Sequence, residues 1–487
     1  MLVIGLDVGT TGTKAVVVDE KGNVLSGGYK EYGLVSVYGR VTQNANDWWD
    51  ACCTAIREAV SKIDDPSQIG AISLSTQGSS MVPVDKDGKP LYDVITWMDT
   101  RSKAEADELA NAVGAEKIYR KCGWQVSPVL DAAKLIWLRK NEKEVFTQAD
   151  CFISTLEFVN MHLTGRKVID PTNAAIRQLF NIETGDWDDE ILSACGITRE
   201  RLPEVMAVGD EVGCLTSEAA EELGLSTSVK VYNGAHDQYC ASLGSGAVEC
   251  GDMLLATGTT WVVLGITPKL LYTDSHICPG IHPAKNAYGA MASIVSAGSA
   301  LNWYKKIIGD DFKTIDIEAA KRAEQSKDLF VLPYVCGAGF PHGLPELRGS
   351  MFGLDVGHDK FHIARAVMEG VAFEAAGVLS EFAAQGMKID KLMMTGGAAR
   401  SNLWSEIVGY VTGCDIYRMN EPETCCVGAA MTAAVGLGMF RDYDDCRSSM
   451  VKSEKLELPD SSMKDFYREK AERYNKLVSA VKAIGNI

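Results

Sequence analysis

The sequence predicts a mixed α/β fold arranged in two domains. The chain has 487 residues, which is more than one hydrophobic core usually organises, and strand patterns alternate with helical patterns along it. A Gly-Thr-Thr sequence begins at Gly9 and again at Gly258, each time between two apolar runs that are typical of hairpin strands. The interval from position 9 to position 258 is 249 residues, about half the chain. Duplicated halves are therefore the favoured interpretation.

The first half begins with a hairpin, and helices and further strands follow it. The apolar run 2–6, the glycine-rich turn 7–12 and the apolar run 15–18 predict the hairpin. Helical spacing and short apolar runs then predict these elements: helices over 46–60 and 133–143, and strands at 71–74 and 229–232.

The second half opens with a similar hairpin, whose strands are predicted at 253–255 and 262–264. Its later elements are predicted as follows: a helix over 361–382, a strand at 392–394 that ends in paired glycines, and a charged amphipathic helix over 462–484. Small residues dominate the segment 245–252, which is the natural junction. The predicted domains are therefore residues 1–245 and 246–487.

Composition and charge exclude several classes of function. The formal net charge of −17 disfavours a nucleic-acid partner, because phosphate backbones attract clustered Lys and Arg. The sequence has no apolar stretch long enough to span a membrane and no leader at its start, so we expect no membrane partner and a cytoplasmic location. The 14 cysteines are scattered, without a C-x-x-C pair, and are expected to be reduced and mostly buried.

The glycine-rich turn of the first hairpin is a candidate phosphate-binding loop. The sequence contains neither the P-loop pattern nor a dinucleotide-binding glycine pattern, so another cradle must explain these glycines. Within residues 7–14 (DVGTTGTK), glycines expose backbone N–H groups, threonines add hydroxyl donors, Lys14 adds a positive charge, and Asp7 is a candidate Mg²⁺ ligand. An ordinary turn is the alternative. The matching turn at 257–260 (TGTT) favours the cradle.

These motifs resemble those of the FGGY carbohydrate kinases, relatives of actin and of the heat-shock chaperone ATPases. The first phosphate loop is followed, in the order found in the family, by these segments: 73–77 (SLSTQ), 96–101 (TWMDTR), 134–138 (KLIWL), 234–238 (GAHDQ), 298–303 (GSALNW), 348–354 (RGSMFGL) and 396–402 (GGAARSN). The resemblance extends from about residue 3 to residue 440. It implies two actin-like (ribonuclease H-like) domains with a central cleft. The N-terminal domain would carry the sugar site and the C-terminal domain the nucleotide site.

The resemblance also implies a role for each matching residue. Asp237 is the expected general base, because the attacking sugar hydroxyl needs a proton acceptor. Taken without the resemblance, Asp237 is slightly better explained as the cap of a helix that starts at Gln238, and the resemblance reverses this order. ATP is the expected cofactor with Mg²⁺, and its binding residues are expected to be Gly9, Thr10, Thr11, Thr13, Lys14, Gly258, Thr259, Thr260, Gly298, Asn302, Gly397, Ala398 and Ser401, with Asp7 at the metal. The sugar is expected to contact Gln77, Gly78, Ser79, Trp97, Asp99, Asp237 and Gln238.

The substrate loop departs from the family in one place. Glycerol kinases have Arg-Glu after the glutamine and many xylulokinases have Met-His, whereas this chain has Gly78 and Ser79. Loss of the Arg-Glu pair argues against glycerol, and the smaller residues leave room for a longer or branched substrate. We therefore expect a small ketose or polyol, with a pentulose such as xylulose favoured and a hexulose, a tetritol or a signalling sugar as alternatives.

Two other classes of function remain open at this level. The first is another ATPase of the actin-like superfamily, such as a cofactor activator or an acetate-kinase-like enzyme, which would lack the loops at 96–101 and 234–238. The second is a catalytically silent sugar-binding regulator on the same scaffold, which an absent base or a broken phosphate loop would favour. In this sequence the base Asp237 is present and the phosphate loop is intact. A homodimer is a common state in the family.

Overall fold

The computed structural model describes residues 1–484 and divides the chain into two compact units. The first unit comprises Met1–Glu249, Thr267–Ala290 and Glu423–Val451. The second comprises Cys250–Ile266, Met291–Pro422 and Lys452–Ile487. The sequence predicted contiguous domains, 1–245 and 246–487, and the compact units differ from them because the chain returns to the first unit twice.

The described residues form α-helices and β-strands in alternation. The strands are β1 (Leu2–Val8), β2 (Gly12–Asp19), β3 (Val24–Glu31), β4 (Val35–Val37), β5 (Arg40–Gln43), β6 (Ile69–Thr76), β7 (Val82–Val84), β8 (Val94–Ile95), β9 (Cys151–Ile153), β10 (Val168–Ile169), β11 (Phe180–Asn181), β12 (Asp186–Trp187), β13 (Glu204–Val205), β14 (Glu211–Cys214), β15 (Lys230–His236), β16 (Met253–Thr257), β17 (Trp261–Thr267), β18 (Cys278–Ile281), β19 (Tyr288–Ile294), β20 (Phe330–Leu332), β21 (Ser350–Phe352), β22 (Lys391–Gly396), β23 (Asp415–Met419) and β24 (Ser453–Lys455).

The α-helices are α1 (Ala45–Val60), α2 (Lys103–Val113), α3 (Ala115–Cys122), α4 (Asp131–Asn141), α5 (Lys143–Gln148), α6 (Thr155–Thr164), α7 (Pro171–Ile176), α8 (Asp189–Cys195), α9 (Ser217–Leu223), α10 (Asp237–Gly244), α11 (Gly298–Ile308), α12 (Phe312–Ala320), α13 (Lys360–Ala384), α14 (Asn402–Thr412), α15 (Thr424–Gly436), α16 (Tyr443–Met450) and α17 (Ser462–Ile484). Short 3-10 helices occur at Pro66–Gln68, Arg199–Arg201, Glu324–Ser326 and Ala398–Arg400. Within residues 1–484, none of the helices has the length and apolar character that a membrane span requires.

The elements predicted from hydrophobic periodicity are present in the structure. The predicted hairpin is β1 and β2, the helix at 46–60 is α1, and the helices at 361–382 and 462–484 are α13 and α17. The helix predicted over 133–143 is divided, because Glu142 leaves the helical conformation (φ −125°, ψ 56°) between α4 and α5. All 14 cysteines are free thiols, and most are buried, as expected.

The two units contain the same local sheet arrangement. In the first unit the strand order is β14-β15-β6-β1-β2-β3, and β1 lies between antiparallel β2 and parallel β6. In the second unit the order β17-β16-β22-β23-β24 places β16 between antiparallel β17 and parallel β22. Each Gly-Thr-Thr turn joins the first two strands of this repeated arrangement. The interpretation of duplicated halves is confirmed.

The hydrophobic core of the first unit includes one face of α1. The helix begins after Asn44, whose side chain caps the backbone N–H of Asn46. Trp48, Cys52 and Ile56 lie on its inner face and pack with β-sheet residues such as Ile4. This packing holds the sheet rigidly beneath the hairpin tip.

Helix α15 packs unusually close to β1 and α10 in the first unit. A Cβ atom on Gly5 would lie 1.8 Å from the carbonyl oxygen of Cys426, and one on Gly428 would lie 1.9 Å from that of Cys240. Backbone therefore contacts backbone at both positions, which only glycine permits. This packing explains why Glu423–Val451 belongs to the first unit although it lies between two segments of the second unit along the chain.

We predict that Gly428→Ala lowers the free energy of unfolding by about 1–3 kcal/mol, because the added methyl group forces α15 away from α10. Gly33→Ala is the control, since a Cβ there meets no atom within 4 Å, and it should change the free energy of unfolding by less than about 0.5 kcal/mol. Urea unfolding of both variants followed by circular dichroism measures the difference. Equal stability of the two variants would contradict the close packing.

Candidate active site

The tip of the β1–β2 hairpin turns its carbonyl groups into the first unit. Gly9 O accepts a hydrogen bond from the Tyr32 hydroxyl at 2.5 Å, and Thr10 O accepts one from Gln43 Nε2 at 2.7 Å. In a planar trans peptide, the carbonyl and the following N–H point in opposite directions. The N–H groups of Thr10 and Thr11 therefore point away from these partners, as in the backbone cradles that bind phosphate oxygens.

The side chains of the tip divide into outward and inward groups. Thr11 is exposed, and Thr10 Oγ1 accepts a hydrogen bond from Trp97 Nε1 at 2.9 Å. Lys14 Nζ lies 2.6 Å from Glu423 Oε2, at the start of α15. Thr13 is completely buried, because the alternation of β2 directs its side chain inward. The sequence prediction that Thr13 holds phosphate has no support in this position.

Asp7 lies at the end of β1, where Ser75 Oγ donates a hydrogen bond to its Oδ1 at 2.7 Å. The pKa of this carboxyl group is raised to about 7, mainly by burial and also by the negative charges of Asp237 and Glu423, while Ser75 and Lys14 oppose the shift. Within residues 1–484, no three His, Cys, Asp or Glu side chains are arranged to hold a metal. A single carboxylate suits Mg²⁺, which takes its other ligands from phosphate and water.

Asp237 is the first residue of α10 and its carboxylate is not used as a helix cap. The cap is His236, whose Nδ1 accepts the Gln238 backbone N–H at 3.4 Å. The side chain of Asp237 is 32% exposed, and its Oδ1 has no hydrogen-bond donor among the described residues. The interpretation of Asp237 as a helix cap is therefore wrong, and the carboxylate is available to a ligand.

Further polar atoms without partners lie in the predicted sugar segments. Gln77 is buried and donates to Gln43 Oε1 at 3.2 Å, but its own Oε1 has no partner in the part of the chain that the structure describes. The Oε1 of Gln238 is also buried without a hydrogen-bond partner among the described residues. Trp97 is 43% exposed beside the phosphate loop. Buried acceptors without donors are rare in folded proteins and mark a place where a polar ligand can bind.

Three predicted sugar residues contribute differently from what the sequence suggested. Gly78 makes room for the imidazole of His236, since an added Cβ would lie 2.6 Å from its Cδ2. Ser79 is buried and directs its hydroxyl to Asp131 Oδ1 at 2.8 Å. Asp99 is completely buried and its carboxylate is held by Arg101 at 2.9 and 2.7 Å. The side chains of Ser79 and Asp99 thus point into the unit, and the sequence could not reveal this because it depends on loop conformation.

The predicted nucleotide residues of the second unit come together around the end of β16. Gly397 N–H donates to Thr257 O at 2.8 Å, and Ala398 N–H donates to Thr257 Oγ1 at 3.0 Å. A Cβ on Gly298 would lie 2.2 Å from the carbonyl oxygen of Gly258, so these segments meet backbone to backbone. The turn that carries Gly258 therefore adjoins both of the other segments.

The remaining residues of the second unit that the sequence predicted to bind the nucleotide differ in accessibility. Thr259 and Thr260 lie in the turn between β16 and β17, and Asn302 is exposed on α11. Ser401 caps α14, because its Oγ accepts the Trp404 N–H at 2.9 Å and donates to Asp316. Its hydroxyl is engaged within the unit, so a nucleotide contact by Ser401 would have to replace one of these bonds.

Two residues of the site were not identified from the sequence. Gln43 links the phosphate loop to Gln77 through its side-chain amide, and no local pattern distinguishes it from other glutamines. Glu423 pairs with Lys14 although 409 positions separate them. Only the folded chain brings these pairs together.

Comparisons with known proteins identify the family to which the chain belongs. The chain matches the model of the N-terminal domain of the FGGY family of carbohydrate kinases over residues 2–244 and that of the C-terminal domain over residues 253–437. A xylulose kinase of Staphylococcus epidermidis is 28% identical over 99% of this chain and 97% of its own length.

Two solved structures have the same fold. A ligand-bound xylulose kinase from Lactobacillus acidophilus has a TM-score of 0.91 and 27% identity, over 99% of this chain and 98% of that one. A gluconate kinase from the same organism has a TM-score of 0.91 and 28% identity, over 98% of both chains. The fold is therefore that of the actin-like FGGY kinases.

We predict that Asp7→Asn stabilises the ligand-free protein in a pH-dependent manner. The pKa of Asp7 rises from 3.8 to about 7 on folding, so the native carboxyl group holds its proton while the unfolded one has lost it. Its contribution to stability is present below pH 4 and is lost as the pH rises to 7. The uncharged amide side chain of the variant does not titrate, so the variant does not lose this stability as the pH rises. Its melting temperature in EDTA should therefore exceed that of the wild type by about 1 °C or more at pH 8 and equal it near pH 4. A difference that does not change with pH would contradict the raised pKa.

Proposed function

Because the chain belongs to the FGGY family of carbohydrate kinases, we propose that this ATP-dependent sugar kinase phosphorylates a hydroxyl group of a pentulose such as xylulose. The family match covers both halves of the chain, and the xylulose kinases of Staphylococcus epidermidis and Lactobacillus acidophilus align over nearly the whole chain. An intact carboxylate at Asp237 and an intact phosphate loop argue against a silent regulator. The cytoplasmic location stays a prediction.

One observation carries the proposal for the sugar site. Among the buried side-chain oxygens that lack a hydrogen-bond partner within residues 1–484, three belong to the predicted sugar segments: Asp237 Oδ1, Gln77 Oε1 and Gln238 Oε1. All three are acceptors, and each unpaired buried acceptor costs about 1–3 kcal/mol. The hydroxyl groups of a sugar are donors that would satisfy them. The residues therefore fit a polyhydroxylated ligand better than an apolar or anionic one.

The position of Asp237 supports its role as general base. Asp237 is the first residue of α10, and the dipole at a helix N-terminus favours negative charge. As the sugar oxygen forms its bond to the γ-phosphorus and the bond to the β-phosphate oxygen breaks, Asp237 accepts the hydroxyl proton. Asp237 Oδ1 lies 3.3 Å from His236 Nδ1 and has no hydrogen-bond partner within residues 1–484.

Phosphate binding is assigned to the hairpin tip of the first unit. The N–H groups of Thr10 and Thr11, the hydroxyl of Thr11 and the ammonium of Lys14 form a cluster of donors there. Mg²⁺, when bound with ATP, would neutralise charge on the phosphates, and Asp7 is the side chain that would hold it. In the second unit, Gly258, Thr259, Gly298, Gly397 and Ala398 supply the backbone surface for the nucleotide.

We predict that Asp237→Asn retains the fold but lowers kcat by about 10²-fold or more, because an amide cannot accept the proton. Asp47→Asn is the matched control, since Asp47 also lies in the first turn of a helix, α1. It should leave kcat unchanged. Coupled detection of ADP and a thermal melt of each variant make the comparison. Turnover of Asp237→Asn near the wild-type rate would remove Asp237 from the proton transfer.

A second prediction concerns the substrate. Without the Arg-Glu pair that binds glycerol in glycerol kinases, this enzyme should phosphorylate D-xylulose or D-ribulose with a kcat/KM about 10²-fold or more above that for glycerol, because the missing hydrogen bonds weaken the smaller substrate most. A panel of pentuloses, hexuloses, tetritols, glycerol and gluconate, assayed by ADP release at saturating ATP, measures the ratios. Preference for glycerol or gluconate would overturn the pentulose assignment.

A further inference from the structure

A completely buried lysine lies beneath two of the predicted sugar segments. Lys134 is on α4, and its Nζ donates hydrogen bonds to Ser79 O at 2.5 Å and to Ile95 O at 3.2 Å. Ser79 belongs to the segment that follows β6, and Ile95 is the last residue of β8, immediately before Trp97 and its neighbours. One ammonium group therefore holds the backbone of two loops that are separate in sequence.

The charges around Lys134 form a balanced cluster. Asp131 Oδ1 lies 3.4 Å from Lys134 Nζ, and Asp131 Oδ2 accepts from Arg177 Nε at 2.7 Å. Arg177 also contacts Glu157 Oε1 at 3.1 Å. All four side chains are completely buried. Burial lowers the pKa of Lys134 to about 8, and the nearby Asp131 and Asp99 oppose this shift. Such a costly buried cation, with most of its bonds to carbonyls, is unnecessary for packing alone.

The first of the two loops has a conformation that needs support. Ser79 has a φ of 49°, in the left-handed region that residues with a Cβ rarely adopt. Its hydroxyl donates to Asp131 Oδ1 at 2.8 Å, and its carbonyl is the acceptor for Lys134. Both bonds come from α4, so the helix determines the direction of the chain immediately after Gln77 and Gly78.

The two loops are also joined to each other. Met81 and Ile95 exchange backbone hydrogen bonds at 3.0 and 2.9 Å, and Trp97 N–H donates to Ser80 Oγ at 3.4 Å. Lys134 is bound to one residue of each loop beside this bridge. A change at its ammonium is therefore transmitted to the Gln77 and Trp97 side chains together.

We propose that Lys134 is a positioning residue of the sugar site, whose ammonium holds the segments 77–80 and 96–99 in the geometry that binds the sugar. The inference rests on the proposed sugar-kinase function and assigns a role that the residue's burial alone would not. Sugar affinity should depend on Lys134, whereas nucleotide affinity should not.

The test compares Lys134→Met with a matched control, Lys470→Met. Lys470 is also nearly completely buried, and its Nζ donates to Ser326 O at 2.5 Å and to Glu369 Oε2 at 2.5 Å in the second unit. Both variants replace an ammonium by an isosteric apolar group. The measurements are kcat, the KM for the panel sugar with the lowest wild-type KM, the KM for ATP, and the sugar Kd by calorimetry without nucleotide.

We expect Lys134→Met to raise the sugar KM and Kd by about tenfold or more, because small displacements of binding groups have large effects, and to change the KM for ATP by less than twofold. Lys470→Met should change the sugar constants by less than twofold. If Lys134→Met alone does not fold, the double variant with Asp131→Asn, which leaves Arg177 paired with Glu157, is measured in the same way and should show the same increase.

Two results would overturn the inference: a sugar KM and Kd within twofold of the wild type in the Lys134 variants, or an equal increase in Lys470→Met. Either result would show that Lys134 contributes to stability only. Failure of the proposed function is distinguishable, since it would appear as a wild-type enzyme that binds and phosphorylates no sugar of the panel.

Discussion

The close packing of α15 against β1 and α10 is the constraint on which the site in the first unit depends. Glycine at positions 5 and 428 lets backbone touch backbone, and this proximity brings the start of each helix to the end of β1. Glu423 consequently meets Lys14, and Asp237 comes near enough to Asp7 to raise its pKa. A side chain at either glycine would move these groups apart.

The close approach of these acidic groups causes electrostatic repulsion, which a bound cation would reduce. Asp7, Asp237 and Glu423 carry acidic groups in a partly desolvated region, and Lys14 is the cation that the structure places among them. Burial is the main cause of the raised pKa of Asp7, the charges of Asp237 and Glu423 add to it, and the carboxyl group therefore tends to hold a proton. A bound Mg²⁺ would replace that proton, so metal binding and deprotonation of Asp7 are expected to be coupled.

The duplicated sheet arrangement presents two different kinds of surface. In the first unit the parallel neighbour of the hairpin, β6, leads to Gln77 and a set of polar side chains. In the second unit its equivalent, β22, leads to Gly396 and Gly397, where the backbone itself forms the surface. Side chains recognise hydroxyl groups by individual hydrogen bonds, whereas bare backbone allows a flat ligand to approach closely. The same sheet arrangement thus leads to polar side chains in one unit and to exposed backbone in the other.

The sequence by itself determined the α/β class, the duplicated hairpins, the long helices and the ordered motifs around Asp237, because these depend on local periodicity and on contiguous residues. The tertiary structure alone decided that Thr13, Ser79 and Asp99 point inward, since the direction of a side chain depends on strand alternation and on loop dihedral angles. It also decided the partners of Gln43, Lys134 and Glu423. Those contacts join residues that are far apart in the chain, and no local pattern records which of them will meet when the core forms.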